Sequence, residues 1–502
     1  MQPNSLDLSV TLILEGTYPF VRGGVSSWVH DLITGLPEIS FDLIHLGAES
    51  AEKQYRHYVL PANVRALQCH TLMDFNVAAP PASRDGNAQS FVDASALHDW
   101  FRNPAGQPPK EWLNSMLPDI AACNHAAALD FFHSRHAWEQ ICASYERYCP
   151  ESPFNSYFWT VRNTHAPLLK LAAIAGSIKP GSVIHAVSTG YAGLLGAMLQ
   201  QKSQRRFLLT EHGIYTKERN IELQAMLLPQ AGSPANGAGS CPLSHTDALW
   251  LRLFEGIGRM AYAAADPVIS LYEQNRQRQI RDGATPQTTQ VIPNGVDIAR
   301  YAPLRKQRPH AAPRVLGLVG RIVPIKDIKT FIRAMFIIVA QAPGTEGWII
   351  GPEDEDRAYV DDCRELVISL GLASNVRFLG FRRIDEVLPQ LGLLVLSSIS
   401  EAFPLVIGES FASGLPVLAT DVGACRGLLE GMDEEDRALG TAGAIVPIAD
   451  AAAMALAALS LLDDGERWHA AQRAGIARVE KYYCQSHVID RYRALYLSAG
   501  EV

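Results

Sequence analysis

The chain has 502 residues, of which 48% are hydrophobic and 19% charged, and its mean hydropathy is +0.01, which excludes disordered and fibrous classes. At roughly 150 residues per domain the length implies two or three domains, and two large ones are the simplest expectation. A formal charge of -8 with no Lys/Arg run excludes a basic track, so no nucleic-acid partner is expected.

The opening "MQPNSLDLSVTLILEGTYPF" lacks a basic n-region and a small-residue cleavage site, so it predicts a first strand and not a signal peptide. Short β-rich runs followed by helical patterns then recur, the signature of parallel α/β units. "LDLSVTLILEG" precedes the helical "VSSWVHDLITGL", "GSVIHAVS" precedes "YAGLLGAMLQQ", "RFLLTEHG" runs into a polar loop, and "DPVISLY" precedes "EQNRQRQIRDG". Residues 50–165 break the alternation with Pro/Gly/Asn-rich stretches between aromatic helical pieces, which reads as a helical insertion into the first domain. "LLPQAGSPANGAGSCPLSHTD", Leu227 to Asp247, reads as a mobile loop.

The charged "LRKQRPHAAPR" reads as a linker ending near Pro313. A second series follows it: "VLGLVG" and "DIKTFIRAMFIIVAQ", "EGWIIG" and "AYVDDCRELVISLG", "VRFLG" and "IDEVLPQLG", "LLVLSS", then "LPVLATD". Two doubly wound Rossmann-like domains result. The expected boundaries are 1–298, 299–482, and a last helix, 483–502, crossing back to the first domain. The longest apolar run, "AAAMALAALSLL", is about half the roughly 20 residues of a membrane span and predicts a buried helix. The eight cysteines show no C-x-x-C and no paired Cys/His spacing, so neither a zinc site nor a disulfide frame is expected, which fits a reducing cytoplasm.

"SEAFPLVIGESFASGLPVLATD" carries two carboxylates in an apolar setting. Pro404 suits the first turn of a helix and Gly414 its end. Glu401 therefore falls in the loop at the carboxyl end of a strand, where open α/β sheets bind ligands, and Glu409 lies within the helix beside Leu405, Val406 and Ala412. A buried carboxylate is either satisfied by the protein, as an ion pair or at a partly exposed helix face, or it awaits a ligand's hydroxyls. Eight residues of helix put the two roughly 10 Å apart, about the span from hexose to ribose across a diphosphate. "VLGLVGRIVPIKDIKTF" places Arg321 after a strand and Lys326 at the start of the next helix, an anion site if the two converge. In the first domain, Gly23 and Gly24 follow the first strand, either as a plain turn or as a close backbone approach to a ligand. His212 stands past another strand end, either structural or functional.

"GRIVPIK", "NVRFLGF" and "SEAFPLVIGESFASGLPVLATD", with its E-x7-E spacing, resemble the donor domain of retaining glycosyltransferases of family four, which have the GT-B fold. "LILEGTYPFVRGGVSSWVHDLITGLP" more narrowly resembles the cytosolic glycosyltransferases of bacterial Pel exopolysaccharide systems. The resemblance implies two Rossmann-like domains facing a central cleft, and transfer of a hexose from a UDP-sugar, UDP-glucose or a UDP-N-acetylhexosamine, to a growing biofilm polysaccharide. It implies no cofactor and no metal, and a cytoplasmic enzyme at the inner membrane beside polysaccharide synthesis proteins. Arg321 and Lys326 match the residues that hold the donor diphosphate, Glu401 the one beside the transferred sugar, and Glu409 the one that binds the ribose. Ala402, Phe403 and Leu405 match backbone positions touching sugar and phosphate, Phe381 and Arg382 the stretch beside the base, and Gly23, Gly24 and His212 the first-domain side of the cleft. Ala402 replaces the glycine common after the first glutamate, and "DVGACRG" lacks a second glycine usual in that turn. A nucleotide-sugar epimerase of the same fold and a non-catalytic nucleotide-sugar scaffold remain alternative readings.

Overall fold

The structure, a computed structural model, describes residues 8–48, 55–72, 82–104, 106–108, 126–227 and 245–500. The chain divides into two compact units, one of Met1–Val291 with Tyr492–Val502 and one of Ile292–Arg491.

The first unit is built on a seven-stranded sheet in the order β3-β2-β1-β4-β5-β6-β7. Its strands are β1 (Ser9–Glu15), β2 (Ser40–Gly47), β3 (Val64–Thr71), β4 (Val183–Ala186), β5 (Arg206–Glu211), β6 (Val268–Ser270) and β7 (Thr289–Val291), and every pairing is parallel. The second unit has a six-stranded sheet ordered β10-β9-β8-β11-β12-β13, again all parallel. These strands are β8 (Val315–Val319), β9 (Glu346–Ile350), β10 (Val376–Gly380), β11 (Leu393–Leu396), β12 (Val417–Thr420) and β13 (Gly443–Val446). Both are doubly wound, with the strand order reversing between β1 and β4 and between β8 and β11.

Parallel strands covered on both faces need continuous apolar runs, and β1, β11 and β12 are buried along nearly their whole length. The covering helices are striped. Ile328–Gln341 buries Ile328, Phe331, Ile332, Met335 and Ile338, the one-in-three-or-four spacing of a helix lying on a sheet. Ala451–Leu462 forms a helix whose Met454, Ala455, Ala458 and Leu459 join the same core. Among the described residues no helix is long and apolar enough to cross a membrane.

Several expectations need correction. The unit boundaries fall at 291/292 and 491/492 and not at 298/299 and 482/483. The segment after β7 packs on the second unit, where a Cβ on Gly408 would meet Val296 at 2.5 Å. The last helix, Gln485–Gly500, counts with the first unit from Tyr492 onward; Tyr492 and Tyr496 pack on Trp28 and His185. The supposed insertion at 50–165 contains β3, the edge strand of the first sheet. The half-buried β3 interleaves its apolar residues with Arg65, Gln68 and His70, so it shows no continuous apolar run.

"RFLLTEHG" leads into the helix Tyr215–Leu227, not a polar loop. The presumed linker forms an ordered 3-10 turn, Ala302–Gln307. Its Arg305 donates to Ala412 O at 2.7 Å and its neighbour Arg308 to Leu388 O and Leu391 O at 2.6 and 2.7 Å, so its basic residues serve as anchors. Residues 228–244 of the expected mobile loop lie outside the described residues.

Candidate functional site

The loops following β8 and β11 lie side by side because those strands are neighbours at the reversal point of the second sheet. Hydrogen bonds join them. Ile399 N donates to Ile325 O at 2.9 Å, and Ser397 Oγ to Lys326 O at 2.8 Å. This brings Lys326 Nζ to 2.5 Å from Glu401 Oε1, an oxygen that also accepts from Ser398 Oγ at 2.6 Å. The side chains are 23% and 12% exposed, sheltered enough for the attraction to exceed that of a surface pair. Lys326 is not in the helix, as its sequence position suggested, but in a 3-10 turn, Pro324–Lys326. The helix behind it starts at Ile328 and is capped by the Asp327 carboxylate, which accepts from Thr330 N. That helix start is thus answered by the chain's own acid, and the cationic character here resides in side chains. Arg321, past Gly320 in the loop after β8, is half exposed and pairs with Glu355 at 2.6 Å.

Glu409 lies on the helix Leu405–Ala412, for which Pro404 is the N-cap and not a first-turn residue. Gly414, at φ +75, follows the C-cap in the left-handed conformation that glycine tolerates best. The half-buried Glu409 carboxylate accepts from the Tyr301 hydroxyl at 2.9 Å. Ala402 and Phe403 join the two glutamates. Phe403 is buried edge-on to Tyr483 and its carbonyl accepts from Asn294 Nδ2 at 3.5 Å. Ala402 O accepts from Ala424 N at 2.8 Å. Gly423, at φ +54, approaches so closely that a Cβ there would sit 2.2 Å from Glu401 O, so the turn after β12 clamps the Glu401 loop. Ala424, next in that turn, has φ -82, a conformation any residue adopts. The adjacent Cys425 thiol is buried, and burial followed by the Glu401 charge pushes it up to about 12, leaving it neutral. Phe381 and Arg382 follow β10 at the sheet edge, and both are exposed, Phe381 by 61%.

In the first unit Gly23 is the N-cap, and Gly24 the first residue, of the helix Gly24–Thr34. Trp28 on that helix meets the His212 ring edge-on at 4.5 Å, so the helix that starts at Gly23 and Gly24 packs on His212. Burial drives His212 down to about 3, and its Nε2 is buried without a hydrogen-bond partner among the described residues. Beside it, buried Glu211 accepts from Thr189 Oγ1, Tyr262 Oη, Gln279 Nε2 and Tyr215 N at 2.7–3.1 Å, although burial raises its carboxyl.

The reversal points of the two sheets differ in charge. In the first, Glu15 at the end of β1 accepts from Ala192 N at 3.1 Å, in the first turn of the helix Tyr191–Ser203, and from Tyr215 Oη at 2.8 Å. The place where a phosphate would meet a helix start is filled by a carboxylate. In the second, the corresponding loops present Lys326 and Arg321. Sequence reasoning did not single out Tyr301, Ser398, Asn294, Glu355 or Glu15. The one signal available for Tyr301 was its place four residues after Asp297, a helix-capping acid. Among the described residues no group of three His, Cys, Asp or Glu is placed to hold a metal ion.

Comparison with known proteins places both units. Residues 8–287 match the family described as "Domain of unknown function (DUF3492)", more than half of the chain, and residues 313–464 match "Glycosyl transferases group 1". The chain is 32% identical over 238 residues to the phosphatidyl-myo-inositol mannosyltransferase of Mycolicibacterium smegmatis, covering 44% of this chain and 55% of the relative. It is 30% identical over 217 residues to the lipopolysaccharide core mannosyltransferase LpsB of Rhizobium meliloti, covering 41% and 60%. A D-inositol 3-phosphate glycosyltransferase of Rhodococcus opacus is 32% identical over 174 residues, covering 32% and 39%. The chain thus spans about half the length of the curated relatives it matches. Among solved structures, HepE of Anabaena in complex with UDP aligns with a TM-score of 0.57 at 15% identity, covering 97% of this chain and 99% of that one. Sucrose-phosphate synthase of Thermosynechococcus elongatus aligns with a TM-score of 0.58 at 18% identity, covering 98% of each. These likenesses establish two Rossmann-like units of the GT-B fold. The chain belongs to the DUF3492 family over its first unit and carries a glycosyl transferases group 1 domain in its second.

Proposed function

We propose that the protein is a retaining, metal-independent glycosyltransferase that moves a hexose from a UDP-sugar to a growing exopolysaccharide of the Pel type. The observation that carries this reading is the Lys326–Glu401 pair, at the reversal point of the second sheet and inside the group 1 domain. HepE of Anabaena, solved in complex with UDP and with UDP-glucose, supports a uridine donor, and UDP-glucose or a UDP-N-acetylhexosamine is the candidate.

In this mechanism the donor diphosphate draws Lys326 from Glu401 and Arg321 from Glu355. The two cations then stabilise the charge that grows on the leaving diphosphate as the bond from the anomeric carbon to the phosphate oxygen breaks. The acceptor hydroxyl forms its bond to that carbon on the face the nucleotide leaves and gives its proton to the departing phosphate oxygen, so configuration is retained. Two cations supply the charge stabilisation that a metal provides elsewhere. Glu401, released from Lys326 and still bonded to Ser398, holds the sugar hydroxyls, and Glu409 receives the ribose. Backbone groups at Ala402, Phe403 and Leu405 contact sugar and phosphate, with Phe381 and Arg382 beside the base. Gly23, Gly24 and His212, whose Nε2 has no hydrogen-bond partner among the described residues, serve the sugar and acceptor side. The enzyme works in the cytoplasm beside inner-membrane polysaccharide synthesis proteins.

The test is nucleotide release from several UDP-sugars with and without an oligosaccharide acceptor, repeated in excess EDTA. Acceptor-dependent release with a lengthened glycan, unaffected by EDTA, supports the proposal. An isomerised donor supports the epimerase reading, and nucleotide binding with neither product supports the scaffold.

A further inference from the structure

The segment between β7 and β8 packs on the helix Leu405–Ala412 that carries Glu409. Tyr301 closes the short helix Ile298–Tyr301, whose start is capped by Asp297 accepting from Arg300 N at 3.1 Å. Its ring is buried to 3% exposure, and its hydroxyl donates to Glu409 Oε1 at 2.9 Å. The Arg300 guanidinium stands 4.9 Å from the Tyr301 ring centroid and pairs with Asp385 at 3.0 Å. A ring packed on this scale is confined to a single rotamer, so the direction of the hydroxyl is set by the fold. Burial, and then the charge of Glu409, raise the phenol above its ordinary value; it keeps its proton and acts as donor at any working pH.

We infer that Tyr301 is a positioning residue for the nucleotide: its hydroxyl fixes the orientation in which the Glu409 carboxylate receives the ribose hydroxyls. This rests on the proposed role of Glu409. A glutamate side chain has three torsions, and a hydrogen bond from an immobile donor selects among its rotamers before the ligand arrives, so the ligand does not bear the ordering cost. Tyr301 touches no reacting atom in this account, and its influence is confined to binding.

The test is a double-mutant cycle on the full chain, with Tyr301→Phe, Glu409→Gln and both together, titrated calorimetrically with UDP and with 2′,3′-dideoxy-UDP. Tyr301→Phe keeps the buried ring and removes only the hydroxyl. Loss of one hydrogen bond to a charged partner should raise Kd for UDP about tenfold, raise the donor KM in step, and leave kcat unchanged. The same substitution should not change binding of 2′,3′-dideoxy-UDP, nor weaken UDP binding further once Glu409→Gln is present. The inference is overturned if Tyr301→Phe binds UDP as the wild type does while Glu409→Gln weakens it, which leaves the role of Glu409 standing. It is also overturned if both ligands lose affinity equally, since the phenol would then serve only local packing. If Glu409→Gln itself leaves UDP binding intact, the ribose assignment fails and the inference fails with it.

Discussion

Replacing Lys326 by alanine removes the cation whose Nζ is held 2.5 Å from Glu401. At an effective dielectric of about 20, a unit charge about 4 Å from the leaving group contributes about 4 kcal/mol. If about half a charge develops on the diphosphate in the transition state, roughly 2 kcal/mol of barrier stabilisation disappears, or about 30-fold in kcat. The same change leaves Glu401, only 12% exposed, with Ser398 as its donor, and the weakened pairing should cost about 1–3 kcal/mol of stability. Single-turnover transfer separates the chemical step from binding, and calorimetry with UDP measures binding alone. Lys326→Arg should recover part of the rate, because it restores the charge on a differently shaped group. The reasoning is refuted if Lys326→Ala keeps the wild-type single-turnover rate and loses only UDP affinity, since the lysine would then contribute to ground-state binding alone.

Other outcomes follow from the same geometry. Gly423→Ala places a Cβ 2.2 Å from Glu401 O at φ +54, so it should displace the Glu401 loop and lower transfer at least tenfold; full activity in a folded variant would mean the turn does not clamp that loop. Arg478 is fully buried, with Nε 2.5 Å from Asp436 and further bonds to Leu429 O and Gly440 O. Arg478→Met should cost about 3–5 kcal/mol in denaturant unfolding of the second unit, and adding Asp436→Leu should restore part of that.

Burial holds His98, His185 and His212, all in the first unit, down to about 3 from an ordinary 6.5. The unfolded chain therefore binds more protons below pH 6.5, and stability is fully present above that value and falls progressively toward pH 3. At pH 5 each buried ring should cost about 2 kcal/mol, so together they approach the whole stability of a domain. Denaturant unfolding of the first unit at pH 5 and pH 7, followed by tryptophan fluorescence in a variant that keeps Trp28, which packs on His212, reports the transition; an equal midpoint at the two pH values would contradict the assignment of neutral buried rings.

The fold was legible where the physics is local. Strands buried on both faces are rich in apolar residues, and β1, β4, β5, β8, β11 and β12 could be read directly even though Thr11, His185 and Thr210 are buried within them. β3, lying at a sheet edge and only half-buried, carries no such demand and was hidden inside an apparent insertion. "TKERN" at the start of Tyr215–Leu227 shows no apolar stripe and resembled a loop. At the site, the spacing of Glu401 and Glu409 and the cations after β8 were visible because they belong to short contiguous stretches. Their partners were not. Lys326 meets Glu401 across 75 residues and Tyr301 meets Glu409 across 108, and strand order and packing, not sequence spacing, bring them together. The difference between the two reversal points also needed the structure, since Glu15 reads in sequence as merely the last residue of a strand.

In the proposed function the two glutamates mark opposite ends of one nucleotide-sugar. The most direct measurement is calorimetric UDP binding beside transfer assays for the wild type, Glu409→Ala and Glu401→Ala. Glu409→Ala should weaken UDP binding itself, about tenfold or more for a lost hydrogen-bonded charge, while Glu401→Ala should bind UDP nearly as well as the wild type and lose transfer. Undiminished UDP affinity in Glu409→Ala, or undiminished transfer in Glu401→Ala, would contradict it.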